Sequence, residues 1–141
     1  MRYIAFILCF LCLATHKNLE AQEKNVVIDN AWVRKTQSPG QLTALYFSIE
    51  NLSHNTEFLT AITTKISDKI YIQKSIKING MVKSTIVAKV AIPGKTKIEF
   101  APLGISVFMH NIQRQLVTGE VVEFTFYFSN SSPQKISAHV R

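Results

Sequence analysis

The chain has 141 residues, 47% of them apolar and 18% charged. That is ordinary composition for one globular domain with one core, and no repeat, low-complexity tract or inter-domain linker argues for more. Lys and Arg outnumber Asp and Glu by 16 to 9, a net charge of +7, which suits acidic partners, anionic membrane surfaces or nucleic acid and speaks of association rather than of fold.

The first residues address the compartment. Arg2 supplies a positive start and Ile4 to Ala14 form an apolar run too short to span a bilayer as an ordinary helix. Leu19-Glu20-Ala21 then offers a small-residue cleavage site, so residues 1–21 are expected to be a signal peptide and the protein periplasmic or otherwise exported. An uncleaved anchor is the alternative, and it too leaves the rest of the chain outside the cytoplasm. Neither Cys9 nor Cys12 follows a small-residue lipobox, which counts against a lipid anchor. Both lie in the apolar run, so the domain expected over residues 22–141 holds no cysteine and needs neither disulfides nor thiolate metal sites.

After Ala21 the pattern is strand after strand. Val26 to Arg34 reads as a strand with an irregular middle, and Ser38-Pro39-Gly40 as a turn. Leu42 to Glu50 is rich in aromatic and β-branched residues, Asn51 to Asn55 are turn formers, and Phe58 to Ile66 is a weaker strand. Ile70 to Ile78 and Met81 to Val90 flank Asn79-Gly80, the preferred type I′ hairpin turn because both central residues take φ > 0. Thr96 to Phe100, Ile105 to Ile112, Val121 to Ser129 and Lys135 to Val140 complete the set, separated by Pro93-Gly94, Pro102-Leu103-Gly104, Thr118-Gly119 and Asn130 to Pro133. Eight or nine short strands with regular turns predict an all-β sandwich or small Greek-key barrel.

A two-residue turn at Asn79-Gly80 also sets a register. Ile78 falls opposite Met81, and Gln73 falls opposite Ile86 with Ser84 as its diagonal neighbour. Alternation then predicts a core face of Ile70, Ile72, Ile76, Ile78, Met81 and Val87. The wetter face carries Tyr71, Gln73, Ser75, Lys77, Val82, Ser84 and Ile86. In the later strand Ile105, Val107 and Met109 point one way while Ser106, Phe108 and His110 point the other.

Several landmarks recur in order along the chain: Ala31-Trp32-Val33-Arg34, Leu45-Tyr46-Phe47-Ser48-Ile49-Glu50-Asn51, Ile92-Pro93-Gly94, Phe100-Ala101-Pro102-Leu103-Gly104, Gln113-Arg114-Gln115-Leu116 and Thr118-Gly119-Glu120. By these, from about Asp29 onward, the chain resembles the PCu(A)C family of periplasmic copper chaperones. The resemblance implies a cupredoxin-like β-sandwich or barrel and a role in copper delivery or cytochrome oxidase assembly. It also implies a Cu(I) site made of a His, a Met eleven residues later, and a His-x-Met twenty-two residues beyond, since thioether sulfur and imidazole suit Cu(I).

At the matching positions this chain has Gln73, Ser84, Ser106 and Phe108. Copper is therefore implied by the family only, and the usual Cu(I) site is expected to be absent. Met81 and Met109, on the opposite face, read as core filling. His110 lies on the ligand side and is the one candidate for a weak metal ligand, against a plain surface histidine; His54 and His139 read as surface residues.

No arrangement suggests an enzyme. There is no cysteine nucleophile, no G-x-S-x-G, no H-E-x-x-H and no phosphate-cradling glycine loop. Lys65, Lys69, Lys74, Lys77, Lys83, Lys89, Lys95 and Lys97 crowd the central hairpin. They read either as a solvated guard on exposed strands or as a docking patch, with Lys74, Lys77, Lys83 and Phe108 meeting an acidic protein, an oxidase-assembly factor or a membrane surface. No aromatic stacking series interleaves them, which argues against nucleic acid. Two function classes result: a copper-chaperone-like protein without the usual Cu(I) site, and a metal-free periplasmic module that docks a protein partner through the lysine-rich hairpin.

Overall fold

A computed structural model describes residues 24–141; the expected signal peptide lies outside these. Among the described residues there is no helix, and ten strands follow one another. They are β1 (Val26–Val33), β2 (Thr43–Asn51), β3 (Glu57–Thr64), β4 (Lys69–Ile78), β5 (Met81–Val87), β6 (Val90–Ile92), β7 (Lys97–Phe100), β8 (Ile105–His110), β9 (Val121–Phe128) and β10 (Gln134–Val140). They pair in the order β5-β4-β8-β7-β2-β1-β10-β9-β3-β6, and β2 divides its length between β8 at its start and β7 at its end.

The sheet folds over on itself. The rings of Phe47 on β2 and Phe126 on β9 meet edge to face at 4.9 Å between centroids, although their strands stand three places apart in the pairing order. In a flat sheet that separation is about 14 Å, so the two layers face each other across a common core. Phe100 stacks on the other side of Phe47 at 4.2 Å, and Leu45, Ile49, Leu59, Ile92, Met109 and Phe124 fill the space around them. This is the expected all-β, cupredoxin-like architecture, held by apolar burial and aromatic packing.

The irregular middle of the first strand is a bulge. Pairing with β2 shifts between Asp29 and Trp32, and Asn30 takes φ 54°, a conformation that asparagine tolerates. The run expected as one strand from Met81 to Val90 is two. β5 ends at Val87 on the edge beside β4, while β6 starts at Val90 and pairs with β3 at the opposite end of the order. Ala88 and Lys89 carry the chain from one edge to the other, which raises the count to ten.

The hairpin register is as predicted: Asn79 and Gly80 have φ 49° and 81°, Ile78 pairs with Met81 and Gln73 with Ile86. Its predicted core face is half right. Ile72 is buried and Ile70 and Val87 pack against the core. Ile76, Ile78 and Met81 are exposed, because β8 pairs with β4 only as far as Lys74 and none of the described residues covers the outer half of the hairpin. Met81 is thus not core filling, whereas Met109 is fully buried.

Two polar devices tie the turns to the sheet. The Asn51 side chain is buried; its Nδ2 donates to the carbonyls of Asn55 and Ile92, and its Oδ1 accepts from the backbone and hydroxyl of Ser53. This holds the 51–55 loop against the Pro93-Gly94 turn so closely that a Cβ on Gly94 would sit 2.2 Å from the His54 carbonyl oxygen. The buried Glu57 carboxylate accepts from the backbone N–H groups of Phe58, Asn130 and Ser131 and from the Asn130 and Ser131 side chains. Burial pushes its pKa up, but these hydrogen bonds outweigh burial and the net direction is down from 4.5.

Gly94→Ala is expected to destabilise the domain by about 3 kcal/mol, the upper end for an overpacked site, because the obstacle is backbone. Gly80→Ala, with open space around it but φ 81°, should cost about 1–2 kcal/mol; thermal unfolding followed by circular dichroism orders the two. Glu57→Gln should cost about 1–3 kcal/mol at neutral pH. Since the folded carboxyl titrates below its unfolded value, its contribution is full above that unfolded value and fades as pH falls through the folded pKa. Denaturant unfolding at pH 7 and pH 3 should therefore show the gap between wild type and Glu57→Gln closing on acidification.

Candidate functional site

The four positions expected to match the family's ligands, Gln73, Ser84, Ser106 and Phe108, lie on one face of the β8-β4-β5 surface. In β8, Val107 and Met109 are fully buried, so Ser106, Phe108 and His110 must point away from the core. Antiparallel pairing puts Ser106 opposite Gln73, Phe108 opposite Tyr71 and His110 opposite Lys69, and the hairpin puts Ser84 opposite Ser75. Side chains directly opposite one another have Cβ atoms about 5 Å apart. Gln73, Ser106 and Phe108 thus form a compact group, with Ser84 on the far side of Gln73.

Each hydroxyl in the group already has a partner. Ser106 is only 4% exposed and its Oγ donates to the Ala101 carbonyl at 3.0 Å, fastening the Pro102-Leu103-Gly104 turn to the strand. Ser84 and Ser75 share a hydroxyl hydrogen bond of 2.8 Å. Phe108 is half-buried beside Tyr71, ring centroids 6.0 Å apart. His110 Nε2 and the Tyr71 hydroxyl share a hydrogen bond of 2.5 Å, and their rings lie 5.0 Å apart. Sequence reasoning placed Tyr71 on this face but did not connect it with His110, because that contact depends on β4 and β8 being neighbours.

This donor set does not fit Cu(I). The soft d¹⁰ ion is held by sulfur and imidazole, and here stand an amide, two engaged hydroxyls, a phenyl ring and one imidazole whose Nε2 is taken by a phenol. Among the described residues no three His, Cys, Asp or Glu gather in a way that could hold a metal. His54 lies in the 51–55 loop and His139 is exposed on β10, both away from His110 in the pairing order.

The lysines proposed for docking do not share a face. Lys77 lies on the side of Gln73 and Phe108, whereas Lys74 and Lys83, paired with Thr85 and Ile76, lie on the other. All three are exposed. Lys89 covers the Phe58 ring at 4.4 Å, Lys97 approaches Glu99 at 3.8 Å, and Lys95 Nζ donates to the Leu52 carbonyl.

The profile of the family described as lipoprotein LpqE-like matches residues 26–140, which is all ten strands. The chain belongs to the LpqE-like family. No individually curated protein matches it. Solved structures show the same fold. The copper-bound PCuAC domain of PmoF2 is 18% identical with a TM-score of 0.70, covering 83% of this chain and 92% of that one. The apo PCuAC domain of PmoF1 is 22% identical with a TM-score of 0.71, covering 83% and 93%. The Cu(I) form of DR1885 from Deinococcus radiodurans is 19% identical with a TM-score of 0.64, covering 86% and 83%. The PCu(A)C-type fold expected from the landmarks is thus the fold this LpqE-like chain adopts.

The structure explains what those landmarks do. Asn51 and Gly94 form the loop clamp, Ala101 receives the Ser106 hydroxyl, and the backbone N–H of Leu116 donates to Thr36 Oγ1 at 2.8 Å. Arg114 pairs with Glu120 at 2.7 Å, a hydrogen bond that lowers the Glu120 pKa. They are scaffold parts.

The geometry predicts that Gln73→His, Ser84→Met, Ser106→His and Phe108→Met together raise Cu(I) affinity over the unaltered chain under chelator competition, with a single ion bound. A folded variant, judged by circular dichroism, that gains no Cu(I) affinity would show the four positions to be misplaced.

Proposed function

We propose that this LpqE-like protein is exported and serves copper delivery or oxidase assembly without carrying Cu(I) at the usual four-ligand place. Membership of a family described as lipoprotein supports an extracytoplasmic setting, as does the apolar run from Ile4 to Ala14. A fold shared with copper-bound and Cu(I)-bound domains supports a connection with copper.

The observation that carries the metal half of the reading is the state of the ligand face. Gln73, Ser106 and Phe108 lie together on one face, and there the Ser106 hydroxyl is engaged by Ala101 and the His110 ring by Tyr71. Filling the positions with oxygen and carbon leaves a stable surface, not a distorted site waiting for an ion. In this reading the protein acts in the copper route through contacts with other proteins, and His110 is the imidazole on that face among the described residues.

Titration of residues 22–141 with Cu(I) against a chelator of known affinity should show no retained metal. With Cu(II), binding should be weak and absent in His110→Ala. Stoichiometric Cu(I) that survives the chelator and is lost in His110→Ala would replace the proposal with a relocated copper site.

A further inference from the structure

Among the described residues the outer half of the β4–β5 hairpin has neighbours on neither face. β8 pairs with β4 from Lys69 to Lys74 and no further, apart from one hydrogen bond from the Ser75 N–H to the Gly104 carbonyl. Beyond it, Ile76 to Ile78 and Met81 to Lys83 form a two-stranded ribbon projecting about 10 Å from the sandwich. Such a ribbon has no core of its own, and its side chains meet solvent on both sides.

Four of those six side chains are apolar. On one face Ile76 is 46%, Ile78 48% and Met81 73% exposed; on the other Val82 is 57% exposed, and Ile86, opposite Gln73 at the base of the ribbon, is exposed as well. Exposed apolar groups this concentrated mark a contact surface rather than ordinary scatter. Around them the charge is of one sign. From Lys69 to Ile98 the chain has seven lysines and no acid, and of these Lys74, Lys77 and Lys83 flank the ribbon without an ion pair among the described residues.

The occupant must accept apolar side chains from both faces and lysines from both faces. A second copy of the chain would bring lysine against lysine. A folded acidic protein offers one surface and would cover one face, leaving the other in water. The interfacial layer of an anionic bilayer surrounds what enters it: acyl chains take the apolar tip on every side, and lysines reach back to lipid headgroups.

We propose that the β4–β5 hairpin is a membrane-docking ribbon, entering the headgroup region of an anionic bilayer by Ile78, Met81 and Val82 and held there by Lys74, Lys77 and Lys83. This stands apart from the copper reading, since it uses none of Gln73, Ser106 or His110.

Among the described residues the core runs from Val26 to Val140, and the chain from residue 22 has no cysteine, which allows a single label. With an environment-sensitive fluorophore on Val82→Cys, vesicles containing phosphatidylglycerol should cause a blue shift, and neutral phosphatidylcholine vesicles should cause none. A label on Ser38→Cys, in the loop held to Ile112 beyond the far end of β8, should not respond. In co-sedimentation, Lys74→Glu, Lys77→Glu and Lys83→Glu together should lower binding at least tenfold. Ile78→Ser with Met81→Ser should lower it comparably at unchanged charge, and circular dichroism and oligomeric state should stay the same. No binding to anionic vesicles at low salt would overturn the proposal. So would binding indifferent to the serine pair, or a label shift produced by polyglutamate or by self-association instead of lipid.

Discussion

Everything on the functional face follows from the burial of Val107 and Met109. Both are fully enclosed, so β8 cannot rotate about its axis, and its alternate residues Ser106, Phe108 and His110 are committed to the outside. Hydrogen bonding hands that commitment to β4 through Gln73↔Ser106 and Tyr71↔Phe108. The Asn79-Gly80 turn hands it on to β5. A slip of one residue anywhere in this relay would put Gln73 in the core and Ile72 in water, exchanging an amide without a partner for an apolar side chain. The aromatic stack of Phe47, Phe100 and Phe126 closes the other side of the core and fixes the layer on which the relay rests.

How much of this was legible in the sequence depends on whether the cause was local. Asn79-Gly80 demands φ > 0 at two successive residues, and that local demand was enough to give the pairing of Gln73 with Ile86. The bulge at Asn30 showed as irregularity in an otherwise apolar strand. What alternation cannot supply is the presence of a neighbour. It put Ile76, Ile78 and Met81 on the side of Ile72, which is correct, but only the length of β8 decides that the core ends before reaching them. For the same reason the Tyr71–His110 hydrogen bond was out of reach: the two residues are 39 positions apart, and the strand order that joins them is set by the packing of the entire sheet. The break at Ala88-Lys89 is likewise tertiary, since local propensity favours continuing the strand and the edge beside β3 competes for Val90 to Ile92.

The scaffold and the ligand face obey different constraints. Asn51, Gly94, Ala101, Thr36 and Leu116 are fixed by backbone approaches and buried hydrogen bonds, where a change leaves a polar group unpaired or two atoms overlapping. Gln73, Ser84 and Phe108 are partly or fully exposed and bear little of the folding energy. A chain can therefore hold the fold and its landmark residues while the chemistry of this face changes. That is why membership of the LpqE-like family and a shared fold with copper-binding domains do not by themselves carry a copper site.

Electrostatics points in the same direction as the donor set. A Cu(I) ion held only by neutral thioether and imidazole groups keeps its full positive charge, so the surrounding field matters to its retention. Here Gln73 and Ser84 lie within a stretch of seven lysines without one acid, and Lys69 sits directly opposite His110. Within a Debye length of about 8 Å at physiological salt, that field opposes an arriving cation and attracts anionic surfaces. The donor set and the basic hairpin then describe one face: it offers no soft ligand set for a cation and presents lysines to anionic groups. The apolar tip decides which anionic surface fits, because charge alone would accept any acidic partner, while side chains exposed on both faces of a ribbon are covered together only by a medium that closes around them.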